Sequence, residues 1–402
     1  MKILIKLVVI FLTLLIVIFS IYNTFDNHGI ISINRLDNMS EQNLFRVKNK
    51  DFTGFIDING KPIIKIEKSS PYQYLKDDFH NGLAPVCEKP SQEFREENCV
   101  FINKEGKIAI SSIFFNVGKF NNGLAPVRVD SIFSVRAYWG YINESGWFVI
   151  GAKYSSDANG FPRNFSEGLA TVHTSENNDV KLEVIDTNGK VVIQPSPFFG
   201  DIYEFSEGLA VFANREEKSK YGFINTKGEI VIPSKYLRAD SFSEGLAVVS
   251  NTIQDEFKDR RNYGYIDKDQ NLVIPFLFDQ ASHFSGGLAA VELDGKCGYI
   301  NKFGKFEIPN IYRYCNSFSE DLAAVKIKDL WGYIDRNGKL IIPYRFSKAL
   351  NFRGGLASVR DPSQSIGIKS EEYSYDYNDF DDAIDASYID RKGMYVFQPK
   401  VE

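Results

Sequence analysis

Phe242-Ser243-Glu244-Gly245-Leu246-Ala247-Val248-Val249 recurs, in variants, along most of the chain. The variants begin at Phe79, Phe120, Phe165, Phe205, Phe284, Phe318 and Phe352. Their central leucines (Leu83, Leu124, Leu169, Leu209, Leu246, Leu288, Leu322, Leu356) are spaced 34 to 45 residues apart. Self-similarity at that spacing marks a repeat architecture, in which a unit too small to bury its own core is stabilised by its neighbours. Within the octet a Phe ends one strand, two polar residues and a glycine turn the chain, and a short apolar strand follows. The expected turn is type I followed by a residue in the left-handed region, which glycine enters without steric cost. Gly82, Gly123, Gly168, Gly208, Gly245, Gly287 and Gly355 hold that position in seven units. Asp321, one of the few side chains tolerated there, holds it in the eighth. A glycine in seven of the eight copies and a β-branched residue in every copy, with no 3.6-residue apolar stripe, oppose a helix.

Between octets lies a second signature, clearest at Trp331-Gly332-Tyr333-Ile334-Asp335-Arg336-Asn337-Gly338-Lys339. Its isoleucine recurs at Ile56, Ile102, Ile142, Ile185, Ile224, Ile266, Ile300, Ile334 and Ile389, and Asp or Asn follows each time. An Asx side chain in that place caps the start of a type I turn. Glycine stands three residues further on in eight of the nine units; Gln270 is the exception, and Asn271 is the expected substitute after a one-residue shift. A strand such as Glu229-Ile230-Val231-Ile232 comes next. Pro233, Pro275, Pro309 and Pro343 are expected to stop or bend it. A Tyr-x-x-Ala-x-x-Phe segment then leads into the next octet. Each unit thus offers three or four strands joined by tight antiparallel hairpins.

These motifs resemble the bacterial WG-repeat family, named for the pair seen at Trp331-Gly332 and Trp139-Gly140. The resemblance covers about residues 51–402, although Tyr221, Tyr263, Cys99 and Cys297 replace the tryptophan in other units. It implies a repeated β module, often exported, with no shared catalytic residues and no shared ligand. The expected fold is all-β, with about eight to nine tandem β-meander units. An open β-solenoid is preferred to a closed propeller-like toroid. Both ends carry the same Gly-Tyr-Ile-Asp strand, whereas ring closure usually completes one blade from complementary terminal halves.

Ahead of the array, residues 1–6 are expected in the cytoplasm and residues 7–22, uncharged and apolar behind Lys2 and Lys6, form a transmembrane signal anchor. The sequence after it lacks a small-residue cleavage site, so secretion after cleavage is the alternative. Residues 23–50 read as a linker. A net charge of −5 argues against a nucleic-acid partner.

Candidate chemistry is sparse. Cys87 with Cys99, and Cys297 with Cys315, fall on consecutive strands and form candidate disulfides, buried free thiols being the alternative. No C-x-x-C and no nearby histidine suggests zinc, and no cofactor is expected. His28, His80, His173 and His283 are widely spaced, and no nucleophile or phosphate-loop motif is present. An acidic insertion at 360–387 reads as a solvated loop, with Ca²⁺ binding the sharper alternative. The resulting expectation is a membrane-anchored, non-enzymatic scaffold of the cell envelope that binds a protein or envelope polymer. A glycan-binding module is the alternative, followed by an enzyme with a repeat-built site.

Overall fold

A computed structural model describes residues 31–33, 43–49, 52–88, 98–130, 137–155, 161–176, 179–194, 198–217, 220–253, 260–362 and 386–399. The stretch 7–22 and most of the acidic insertion lie outside them. The described chain forms nine antiparallel sheets in sequence order. These are blades 1 (31–66), 2 (72–114), 3 (116–155), 4 (169–193), 5 (199–236), 6 (238–278), 7 (280–312), 8 (314–346) and 9 (348–397). In blade 8, strands Tyr314–Cys315, Leu322–Ile327, Leu330–Asp335 and Leu340–Phe346 pair in that order. Part of the span read as a linker belongs to blade 1, which uses Ile31–Ile33 and Phe45–Lys48.

The apolar core lies between blades, not within them. One cluster joins Tyr265, Ile274 and Phe278 of blade 6 to Phe284, Val291 and Ile300 of blade 7. The octet Phe is the recurrent plug, set against the aromatic ring of the preceding blade's Gly-Tyr-Ile-Asp strand. Tyr265–Phe284, Tyr299–Phe318 and Tyr333–Phe352 have ring centroids 5.0, 4.7 and 4.9 Å apart. Tilted and edge-on contacts of this kind favour both packing and ring electrostatics.

A ninth seam closes the array, so the open solenoid is incorrect and the protein is a nine-bladed β-propeller. Phe45, Val47 and Ile56 of blade 1 pack with Leu356 and Tyr388 of blade 9, and Tyr388 donates its hydroxyl proton to Arg46 O at 2.6 Å. Redundant ends are compatible with a ring because closure here needs no strand exchange. Each terminal blade is complete, and Leu44-Phe45-Arg46-Val47 supplies blade 1 with the octet strand: Phe45 faces Ile56 as Ala247 faces Ile266.

Two local readings also change and a third narrows. The octet turn is a two-residue hairpin in which both central residues have positive φ, as at Glu244 (55°) and Gly245 (86°), so it is type I′. Reciprocal bonds between Ser243 and Leu246 close it, and its twist matches the flanking strands. Gln270 itself takes φ 69°, with no shift to Asn271. The prolines bend their strands rather than stop them: Pro233, Pro275, Pro309 and Pro343 lie inside Ile230–Tyr236, Leu272–Phe278, Phe306–Tyr312 and Leu340–Phe346, each within a register shift of the pairing. Those are edge strands, where a missing N–H is tolerated.

Candidate binding surface

Equivalent points of a ring approach one another most closely near its axis, and the octet turns do so. Ser166, Ser206 and Ser243 donate their hydroxyls to the carbonyls of Phe205, Phe242 and Phe284 in the following blades, at 2.7–2.8 Å. Gly208, Gly245, Gly287 and Gly355 donate N–H to Glu167, Glu207, Glu244 and Glu320 of the preceding blades. These glutamates have positive φ, a strained state for a side chain with a Cβ, and each is held by the neighbouring turn. Lys268 and Lys302 add bonds to the backbone oxygens of Glu207 and Glu244. Burial raises the pKa of the Glu244 carboxyl, but the N–H of Gly287 and the Lys302 ammonium outweigh it and hold the group below its ordinary range. The turn glycines and glutamates therefore weld blades at the inner rim. In blades 2, 3 and 6 to 9 the short first strand lies on this inner side, and in blades 5 to 8 the proline-bearing strand forms the outer edge.

The pattern breaks in blades 3 to 5. Among the described residues blade 4 has no short first strand, although Arg163 N–H still bonds Thr171 O as Asp240 N–H bonds Val248 O in blade 6. Blade 5 has the opposite departure, a first strand of eight residues, Phe199–Ser206. Phe161 is 61% exposed and lies edge-on to the buried Trp139 of blade 3, centroids 5.4 Å apart. Arg163, two residues on, pairs with Asp201 at 2.6 Å and donates to Ile202 O. Its guanidinium stacks 4.6 Å above the Tyr203 ring, which lies 6.4 Å from Tyr221. His173 is buried beside this group, with neither ring nitrogen bonded to protein. Burial pushes its pKa below the ordinary histidine value, opposed by Asp201 and reinforced by Arg163. Aromatic and charged side chains from three blades thus form one contiguous inner sector. The sequence signal for it was the run Phe161-Pro162-Arg163-Asn164-Phe165, which departs from Tyr-x-x-Ala-x-x-Phe.

The other sequence candidates are dispersed. His80 lies 3.4 Å from Asp77 in blade 2, His283 is in blade 7, and His28 is outside the described residues. The cysteines are joined as Cys87–Cys99, directly opposite on adjacent strands, and Cys297–Cys315. Among the described residues, no group of three or more His, Cys, Asp or Glu side chains is arranged to hold a metal ion. Nor is any described helix long and apolar enough to cross a membrane.

The repeat architecture and its motifs define the class, a β-propeller built from WG units. A profile of the family described as "WG containing repeat" matches residues 101–131, 139–173, 184–215, 221–251, 263–297, 298–331 and 331–361. The chain belongs to that family. No curated protein matches it. Among solved structures it is similar to a eukaryotic initiation factor, with 10% identity and a TM-score of 0.43, covering 92% of this chain and 90% of that one. It is also similar to the β-propeller domain of the Trilobed protease from Pyrococcus furiosus, with 10% identity and a TM-score of 0.38, covering 68% and 99%. Likenesses this distant carry no functional argument.

Proposed function

We propose that the protein is a non-enzymatic docking ring of the bacterial cell envelope, anchored by residues 7–22 with its blades outside the membrane, and that it binds a protein partner. The observation that carries this reading is Phe161, an exposed aromatic side chain braced by Trp139 and set beside the Arg163–Asp201 pair. Fixed aromatic anchors beside desolvated charged groups are what protein interfaces use as hot spots. A glycan platform is less well supported, because Arg163 already covers a face of Tyr203 and the rings of Tyr203 and Tyr221 are half-buried. The test is capture of partners from detergent-solubilised envelopes by the full chain and by Phe161→Ala. Recovery reduced at least fivefold, with an unchanged melting curve, is expected. Equal recovery by both would overturn the assignment of this surface. Retention on purified envelope polysaccharide, abolished by Phe161→Ala, would favour the glycan reading instead.

A further inference from the structure

The outer edges of the blades are not equivalent, and blade 1 shows the chemical consequence. Its outermost repeat strand, Pro62–Ile66, is covered by an additional strand from the chain itself: Ile31, Ser32 and Ile33 pair antiparallel with Ile66, Lys65 and Ile64. Lys65 occupies the column held by proline in blades 5 to 8, since Ile64 faces Phe55 as Ile342 faces Tyr333. Pro233, Pro275, Pro309 and Pro343 therefore remove a donor at the position where blade 1 accepts a further strand. An edge with an N–H in this column can be extended, and an edge with proline there is protected.

Blade 3 has the longest outer strand of this kind, Phe148–Ser155, and among the described residues no strand pairs beyond it. Its sequence Val149-Ile150-Gly151-Ala152-Lys153-Tyr154 parallels Val231-Ile232-Pro233-Ser234-Lys235-Tyr236 of blade 5, with Gly151 in the proline column. Nothing lies within 4 Å of where a Gly151 Cβ would stand. Phe148 and Val149 are each 44% exposed, and the adjoining Trp147 is 74% exposed. Blade 2 also has a column residue other than proline, Ser111, but its edge presents Lys107, Ile108 and Ala109 where blade 3 presents Trp147, Phe148 and Val149. Blades 4 and 9 offer only three-residue strands, Val191–Ile193 and Tyr395–Phe397.

We infer that the outer edge of blade 3 binds an extended segment of a partner polypeptide by β-strand addition. The segment has β-branched residues at alternate positions, the chemistry of the chain's own Ile31-Ser32-Ile33. Backbone pairing supplies the affinity, and alternate side chains lie beside Trp147, Phe148 and Val149. The apolar residues of this edge, Trp147, Phe148 and Val149, stand at the opposite end of the strand from Tyr154, which faces the Trp139 that braces Phe161. The inference rests on the reading that the ring binds partners, and it can fail independently of that surface.

The test uses a synthetic peptide of residues 29–35, Gly-Ile-Ile-Ser-Ile-Asn-Arg, titrated into the full chain with amide exchange as the readout. At saturation the amides of 148–155 should exchange at least tenfold more slowly, while a scrambled peptide leaves them unchanged. Gly151→Pro reproduces the column of four other blades, so it should fold with an unchanged melting curve and lose this protection. Pro309→Gly should create new protection over 306–312. Absence of protection at 148–155, undiminished protection in Gly151→Pro, or no gain in Pro309→Gly would overturn the inference. Phe161→Ala should leave the peptide result intact.

Discussion

At the scale of single residues, His173 is the clearest departure from the consensus. The corresponding column holds Arg128 in blade 3, Ala213 in blade 5 and Ser250 in blade 6, so a titratable ring here is specific to blade 4. Because burial lowers its folded pKa, the unfolded chain binds a proton more readily than the native state as pH falls below about 6.5. The sign follows: the neutral imidazole costs nothing above the unfolded value. Stability should decline as pH falls from there toward the depressed folded value, and then level off with respect to this group. His173→Gln should flatten the dependence of melting temperature on pH in that window, while leaving the steeper loss at lower pH, where Glu244 is protonated. Scans of both proteins from pH 7.5 to 4 would check this, and parallel curves would refute it. Histidine was visible in the sequence, but its burial was not, because the groups that face it, Asp201 and Arg163, come from outside its own strand.

Strands and turns were largely legible because their signals are local. Asp or Asn after the isoleucine caps its turn: Asp335 Oδ1 accepts N–H bonds from Asn337 and Lys339, both at 2.9 Å. What was not legible is any requirement set by the neighbouring strand. Gly264, of the pair that names the family, has no positive φ, yet a Cβ there would stand 2.6 Å from Ile274 O, where the outer strand bulges inward. Gly245 presents the converse, φ 86° with nothing within 4 Å of its Cβ position. Gly245→Ala should therefore cost only the left-handed strain of about 1–2 kcal/mol. Gly264→Ala must displace a paired backbone strand and should cost at least twice as much. Denaturant unfolding of the two variants tests the order, and a more damaging Gly245→Ala would contradict the bulge geometry. The proline column could not be resolved between a stop and a bend for the same reason: its meaning depends on whether a strand is at an edge, which topology alone decides.

For the whole molecule, closure was the feature the sequence could not convey, because its contacts join residues more than 300 positions apart, as Arg46 and Tyr388 do. The join is polar as well as apolar. Asp78 of blade 2 accepts from Arg46 Nε of blade 1 at 2.8 Å and from Arg353 Nη1 of blade 9 at 2.5 Å, so one carboxylate ties three blades. The Arg46 side chain is 5% exposed, and it also donates to Leu75 O at 3.1 Å. Asp78→Ala removes a carboxylate paired with that buried guanidinium, and breaking a buried pair by deleting one partner costs about 3–5 kcal/mol in comparable settings. In a closed ring the loss is felt by blades 1, 2 and 9 together, so unfolding should remain a single transition at lower temperature. Arg353→Ala should do much less, since that side chain is mostly solvated and exposed pairs contribute about 0–1 kcal/mol. Removing blade 9 altogether should be worse than either, because Phe45, Val47 and Ile56 would lose the apolar surface that covers them. An open array would lose only one unit's share of stability on that deletion. Calorimetry of Asp78→Ala, Arg353→Ala and a chain ending before Lys348 therefore separates the two architectures: a small, proportional loss in the truncated chain is the result a sealed ring cannot produce.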